Sequence, residues 1–181
     1  MTTFQIIIIV IGSLITLVFI VAFILPSTRT IFRTIEINSS PEHVYSLVTD
    51  FHNYKKWNPW SEKEPDAKGS MSGTPARVGH KWMWEGKIIG SGYLEIKELV
   101  QNKYVLSDLI FTTPRKMRSE DIWEFEKIDE TSSRVTWGHR AFLGYPLGRF
   151  FGTMLEKMLG PEFEKGLENL KRLSESSRKN G

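Results

Sequence analysis

Residues Phe4 to Leu25 contain no charged side chain and only three polar ones, Gln5, Ser13 and Thr16. That run constrains the chain more than any other feature, because a segment apolar all round its circumference has no face to offer water. About 20 apolar residues at 1.5 Å rise cross about 30 Å of hydrocarbon, and the run meets that length. A secretory signal peptide carries a basic leading segment, a shorter apolar stretch and small residues before its cleavage site. Here Met1-Thr2-Thr3 has no Lys or Arg, and Phe23-Ile24-Leu25-Pro26 lacks the small-residue pattern. A core helix of a soluble protein has little use for Ile6-Ile7-Ile8-Ile9-Val10 on every side. The expectation is an uncleaved single-pass anchor within 1–27, one domain over 28–175 and a polar tail over 176–181. Arg29 and Arg33 follow the run and no Lys or Arg precedes it, which by the positive-inside bias places the domain on the cytoplasmic side of the membrane.

The remaining ~150 residues are enough to bury a core of their own. Hydrophobic residues make up 40% and charged residues 25% of the chain, which is globular material and not a disordered segment. There is no cysteine, so disulfides, thiolate zinc sites and Cys nucleophiles are excluded. The net charge is +3 and the basic residues are interleaved with acids, which does not make a nucleic-acid footprint.

Periodicity sets the order of elements. Thr30 to Ile37 alternates apolar and polar residues and reads as a strand. Ser40-Pro41-Glu42 opens a helix that runs to about Asp50, with Ser40 as the N-cap. A short helical turn is expected over 53–57 and a loop at Trp57-Asn58-Pro59-Trp60. A short strand near 69–73 and longer ones over 76–84, 87–99, 103–111, 116–127 and 133–141 follow, with short links that imply an antiparallel meander. Gly90-Ser91-Gly92 lies inside a strand pattern, so a bulge is expected there, not a phosphate loop. From Pro146 to about Ser174 the period turns helical, and Gly160-Pro161 is expected to kink or split that helix.

Alternation also predicts what faces inward. His80, Trp82 and Trp84 share one face of their strand, Trp123 and Phe125 one face of theirs, and Val135, Trp137, His139 and Ala141 a third. A curved sheet with so aromatic an inner face, covered by one long final helix, makes either a filled core or a lined cavity. The residues Ile35-Glu36-Ile37, Ser40 to Tyr45, Asp50-Phe51, Trp57 to Trp60, Val78-Gly79, Trp84-Glu85-Gly86 with Gly90 and Gly92, Leu109-Ile110-Phe111 with Pro114, Thr136-Trp137 and Gly166 to Lys171 together resemble the START-like, helix-grip superfamily (SRPBCC), and most of all its polyketide cyclase/dehydrase and lipid-transport branch. The resemblance runs from about Arg33 to Lys171. It implies an α+β fold in which an antiparallel sheet of six or seven strands grips a long C-terminal helix around an apolar cavity. It also implies an apolar small molecule or lipid as partner.

The candidate cavity residues are Trp57, Trp60, Trp82, Trp84, Phe111, Trp123, Phe125, Trp137, Phe151, Met154 and Met158, the last three expected as core residues that double as lining. His80 and His139 are the candidates for acid–base work, while His43 and His52 read as surface residues. No HExxH or paired-His spacing and no GxSxG motif occurs, so neither a metal, another cofactor nor a serine hydrolase is expected. Three functions stay open: a membrane-anchored module binding a hydrophobic molecule, a cyclase/dehydrase-type enzyme using a cavity histidine, and an interaction or chaperone-cofactor scaffold with a filled core.

Overall fold

The computed structural model describes residues 2–179, with side chains through Ser176. The apolar run is helix α1, Thr3–Ile24, and almost none of its surface is covered by protein. Strand β1 (Thr28–Ile37) follows Pro26 at once. Helix α2 (Pro41–Thr49) starts as the sequence predicts, with Pro41 in its first turn and the Ser40 hydroxyl accepting from the His43 amide. A single tight turn at Phe51–Asn53 leads to α3 (Tyr54–Trp57) and α4 (Pro59–Lys63). The expected loop at 57–60 is therefore a helix start. Asn58 Oδ1 accepts from the Trp60 amide at 2.8 Å and Pro59 fills the first helical position, so the chain stops one helix and caps the next in three residues.

Six more strands complete the sheet: β2 (Lys68–Ser72), β3 (Lys81–Glu85), β4 (Ser91–Val100), β5 (Tyr104–Thr113), β6 (Met117–Asp129) and β7 (Ser132–Phe142). They form one seven-stranded antiparallel sheet in the order β1-β7-β6-β5-β4-β3-β2. Strand β3 begins later than the alternation suggests, because Ala76 and Gly79 both take positive φ and turn the chain before it. The expected bulge is present: the β4–β5 register shifts between Ser91 and Gly92.

Two helices close the chain, α5 (Leu147–Gly152) and α6 (Leu155–Lys179). The break between them falls at Gly152-Thr153-Met154, not at Gly160-Pro161, and Pro161 sits inside a continuous helix. The reasons are local. A side chain at Gly152 would run into Leu143 Cδ1 at 2.3 Å, so Gly152 seats Leu143. Gly160 serves as a notch for the Arg33 guanidinium, whose Nη2 lies 2.2 Å from where a Cβ would stand. Arg33 bonds Glu156 at 2.7 Å and Glu164 at 2.6 Å, one on each side of Pro161. Phe163, Leu167 and Leu170 are buried against the sheet beyond it. The expected tail is likewise helical as far as Lys179, while Met1, Asn180 and Gly181 lie outside the described residues.

The chain of packed rings shows where the core is. Trp137 stacks on Trp123 with centroids 4.7 Å apart and on Phe163 at 4.4 Å. Trp57 meets both indoles edge-on, and Tyr45 meets Phe125 the same way. The half of the helix–sheet space next to α2 is therefore solid. The other half, toward α5, is not.

Candidate functional site

The hollow half is a cavity of about 460 Å³, within the size range of small-molecule sites. Its walls come from every layer of the fold. Strands β3, β5 and β7 contribute Trp82, Trp84, Leu109, Phe111, Trp137 and Ala141, α3 and α4 contribute Tyr54 and Trp60, and the final helices contribute Phe151, Leu155, Met158 and Phe163. Gly92 makes room for the Trp84 indole to lie flat on the sheet: a Cβ there would come within 2.8 Å of that ring and 2.1 Å of the Ile110 carbonyl oxygen.

Of the residues singled out from the sequence, Trp60, Trp82, Trp84, Phe111, Trp137, Phe151 and Met158 stand around this one cavity, together with His139. Trp57, Trp123 and Phe125 sit in the solid half, each at most 5% exposed. Met154 is 56% exposed and faces away. Phe151 and Met158 are themselves nearly half exposed, so they are rim residues and not the core residues that their spacing suggests.

Asp121 lies on the cavity floor, a position that the run of inward aromatic residues does not single out. Trp137 Nε1 donates to its Oδ1 at 2.7 Å and Trp123 Nε1 to its Oδ2 at 2.8 Å. Burial drives its pKa up to about 7, against the pull of those two donors, because a carboxylate removed from water loses more solvation than two neutral N–H groups restore. The available signal was its register. Asp121 shares the inward face with Trp123 and Phe125, where a charged residue needs a partner. His139 is paired directly opposite Asp121 across the β6–β7 ladder, and burial pushes its pKa down to about 4, so it is a neutral imidazole near pH 7. Tyr54, buried beside them, has a hydroxyl held well above its ordinary pKa, first by burial and then by the Asp121 charge.

His80 is placed elsewhere. Its ring stacks on Phe51 at 4.7 Å, its Nε2 accepts from the Phe51 amide at 3.3 Å, and its Nδ1 therefore donates to the Ser72 carbonyl at 3.1 Å. Both ring nitrogens are used by backbone, which makes it a structural corner. Asp50 and His52 stand next to it, each of the three offering one ligating atom within 4.8 Å of the others. No sequence spacing announced that group. Its bonds are made within the protein, since Asp50 Oδ1 takes both the His52 amide at 3.0 Å and His52 Nδ1 at 2.7 Å.

The rim has a device of its own. The Glu64 carboxylate accepts from the amides of Lys87, Ile88 and Ile89 at 2.7, 2.9 and 3.0 Å, which holds the β3–β4 loop over the opening. Those backbone bonds keep its pKa below the usual carboxylate value. Glu64→Ala is expected to raise amide exchange at 87–89 by at least about tenfold, because all three amides lose their acceptor, while leaving exchange in β6 and β7 unchanged. Unchanged exchange at 87–89 would contradict that role.

A family model described as polyketide cyclase / dehydrase and lipid transport matches residues 28–175. No curated protein matches the chain in sequence. Among solved structures, the Aha1 dimer from Colwellia psychrerythraea is 21% identical over 81% of this chain and 96% of that one, with a TM-score of 0.59. A START superfamily protein from Mycobacterium smegmatis is 20% identical over 81% and 97%, also at 0.59. A hypothetical protein from Helicobacter pylori is 10% identical over 81% and 88%, at 0.62. At these identities the likeness is one of fold.

Proposed function

This chain belongs to the polyketide cyclase/dehydrase and lipid transport family, and on that premise we propose that it is a membrane-anchored module that binds a hydrophobic small molecule or lipid. The observation that carries this reading is the aromatic-walled cavity of about 460 Å³ in the half of the fold next to α1. Packing this dense elsewhere in the domain makes a void of that size a feature and not slack, since interiors leave few spaces larger than a water.

The way α1 meets the domain supports the same reading. Tyr145 Oη donates to the Phe19 carbonyl at 2.9 Å, and Arg149 Nη1 donates to the carbonyls of Ala22 and Phe23, both at 3.0 Å. Arg149 thus caps carbonyls at the C-terminal end of α1 that have no helical partner of their own. Phe19 lies about 7–8 Å up the helix from Ile24 at 1.5 Å per residue. The Tyr145 side chain therefore reaches alongside the last turns of the span. Helix α5 follows at once and exposes Leu147 and Phe151, and Phe151 lines the cavity. An exposed apolar rim beside an apolar span suits a cavity loaded from the bilayer. Arg29, just past α1, favours a cytoplasmic domain.

Of the titratable groups that border the cavity, Asp121, His139 and Tyr54 are buried, and an enzyme would draw its acid–base groups from them. Filling the cavity tests the binding reading. Ala141 is on its wall. Ala141→Trp in the full chain, reconstituted in phosphatidylcholine nanodiscs, is expected to lower uptake of a pyrene-labelled alkyl chain at least about tenfold, the effect of removing on the order of 1.4 kcal/mol or more of contact. Undiminished uptake by a folded variant would refute it.

A further inference from the structure

The cavity wall is mostly apolar; Asn58 accepts from the Trp60 amide and Ser119 donates to the Leu109 carbonyl, and a carboxyl lies at the floor. There Asp121 takes one indole N–H on each carboxylate oxygen, from Trp137 and Trp123. Each oxygen has a second lone-pair direction. A polar group left half-satisfied in a low-dielectric pocket gains from a partner that arrives with the ligand. The two indoles donate only, so they orient the carboxyl but cannot accept from a ligand. Its neighbour across the ladder, His139, is 7% exposed and faces the same space.

The cations at the rim point the same way. Lys63 and Arg118 both border the cavity, but Lys63 is bound to Glu162 at 2.6 Å and Arg118 to Asp108 at 3.0 Å. Neither offers an uncommitted charge to an anion. A carboxylate or phosphate carried to the floor would face Asp121, and two anions this close in a buried site cannot both stay ionised.

We propose that Asp121, braced by Trp123 and Trp137, selects ligands that carry a hydroxyl or amine on an apolar body, bound head-inward, over ligands that end in a carboxylate or phosphate. This rests on the cavity-binding reading and adds the chemical class of the ligand to it.

The test is a competition among 1-dodecanol, dodecylamine and dodecanoate. They are added at equal mole fraction to phosphatidylcholine nanodiscs holding the full chain, and bound adducts are counted by native mass spectrometry. The hydroxyl and amine chains are expected to occupy the protein at least about tenfold more than the carboxylate, a step of about 1.4 kcal/mol. Asp121→Asn is expected to shrink that ratio to below about twofold, because the amide faces the ligand without a charge. Equal occupancy by all three in the wild-type chain overturns the inference while leaving cavity binding in place. So does a preference that survives in the variant. Occupancy by none of the three overturns the cavity reading and this inference with it. Where the variant does not fold, the wild-type series decides alone.

Discussion

Trp137→Ala should cost the domain about 5 kcal/mol, enough to leave little folded protein at 37 °C. Removing a buried Trp side chain costs about 3–5 kcal/mol through lost transfer energy and the cavity left behind. Trp137 is 1% exposed and is stacked between Trp123 and Phe163. The change also strips Asp121 of one of its two donors, and a buried acceptor left short costs a further ~1–3 kcal/mol. Trp137→Phe keeps a six-membered ring but loses the N–H and part of the indole's volume, so it should cost less than the alanine change, about 2–3 kcal/mol. Near-ultraviolet circular dichroism during thermal unfolding in nanodiscs separates the two. At about 2–4 °C per kcal/mol for a domain of this size, the alanine variant melts about 10–20 °C lower. A loss under about 1 kcal/mol in the alanine variant would mean that this ring stack does not hold the two halves of the fold together.

The second large effect is on pH dependence. Asp121 sits near 7 in the fold against an ordinary 3.8, so between those values the folded chain keeps a proton that the unfolded chain has released. Its contribution therefore falls as pH rises from about 4 to 7, by on the order of 4 kcal/mol. His139 sits near 4 against an ordinary 6.5, so over that interval the unfolded chain binds the extra proton and the contribution of His139 rises with pH. The two slopes offset each other from about pH 4 to 6.5. Single variants uncouple them. Relative to wild type, His139→Leu should gain on the order of 3 kcal/mol on going from pH 7 to pH 4. Asp121→Asn should show the opposite trend, gaining on wild type as pH rises over the same range. Urea unfolding at pH 4.5, 6 and 7.5 measures both. Parallel curves for the variants and wild type would show that neither group changes its proton affinity on folding.

The parts of this fold that were legible in sequence are those set by period and by caps. Alternation placed Trp82, Trp84, Trp123, Phe125 and Trp137 on inward faces, and all five are buried. Ser40-Pro41 marked the start of α2. What alternation does not carry is position along the strand. Trp123 and Asp121 share a face of β6 and are two residues apart, yet only Asp121 borders the cavity. That difference is fixed by what lies above each residue: Trp57 from α3 covers Trp123, and open space covers Asp121. Contacts between distant segments have no local signature, so the Glu64 clasp on the β3–β4 loop and the Asp50-His52-His80 group were invisible. Gly160-Pro161 misled for the same reason, because its local reading as a breaker ignores Arg33, which arrives from β1. Phe151 and Met158 misled in the other direction. Their helical spacing fits a core stripe, but α5 and the start of α6 lie at the rim beside α1, where the apolar face meets the cavity mouth.

The central claim is that the cavity holds a hydrophobic molecule drawn from the membrane. The most direct measurement is mass spectrometry of small molecules that co-purify with the full chain in native nanodiscs, compared with Ala141→Trp prepared the same way. We expect an apolar compound bearing a hydroxyl or amine, near one per chain in the wild type and at least about tenfold depleted in the variant. An equal complement of lipids in the two preparations, with nothing retained specifically by the wild type, would contradict it.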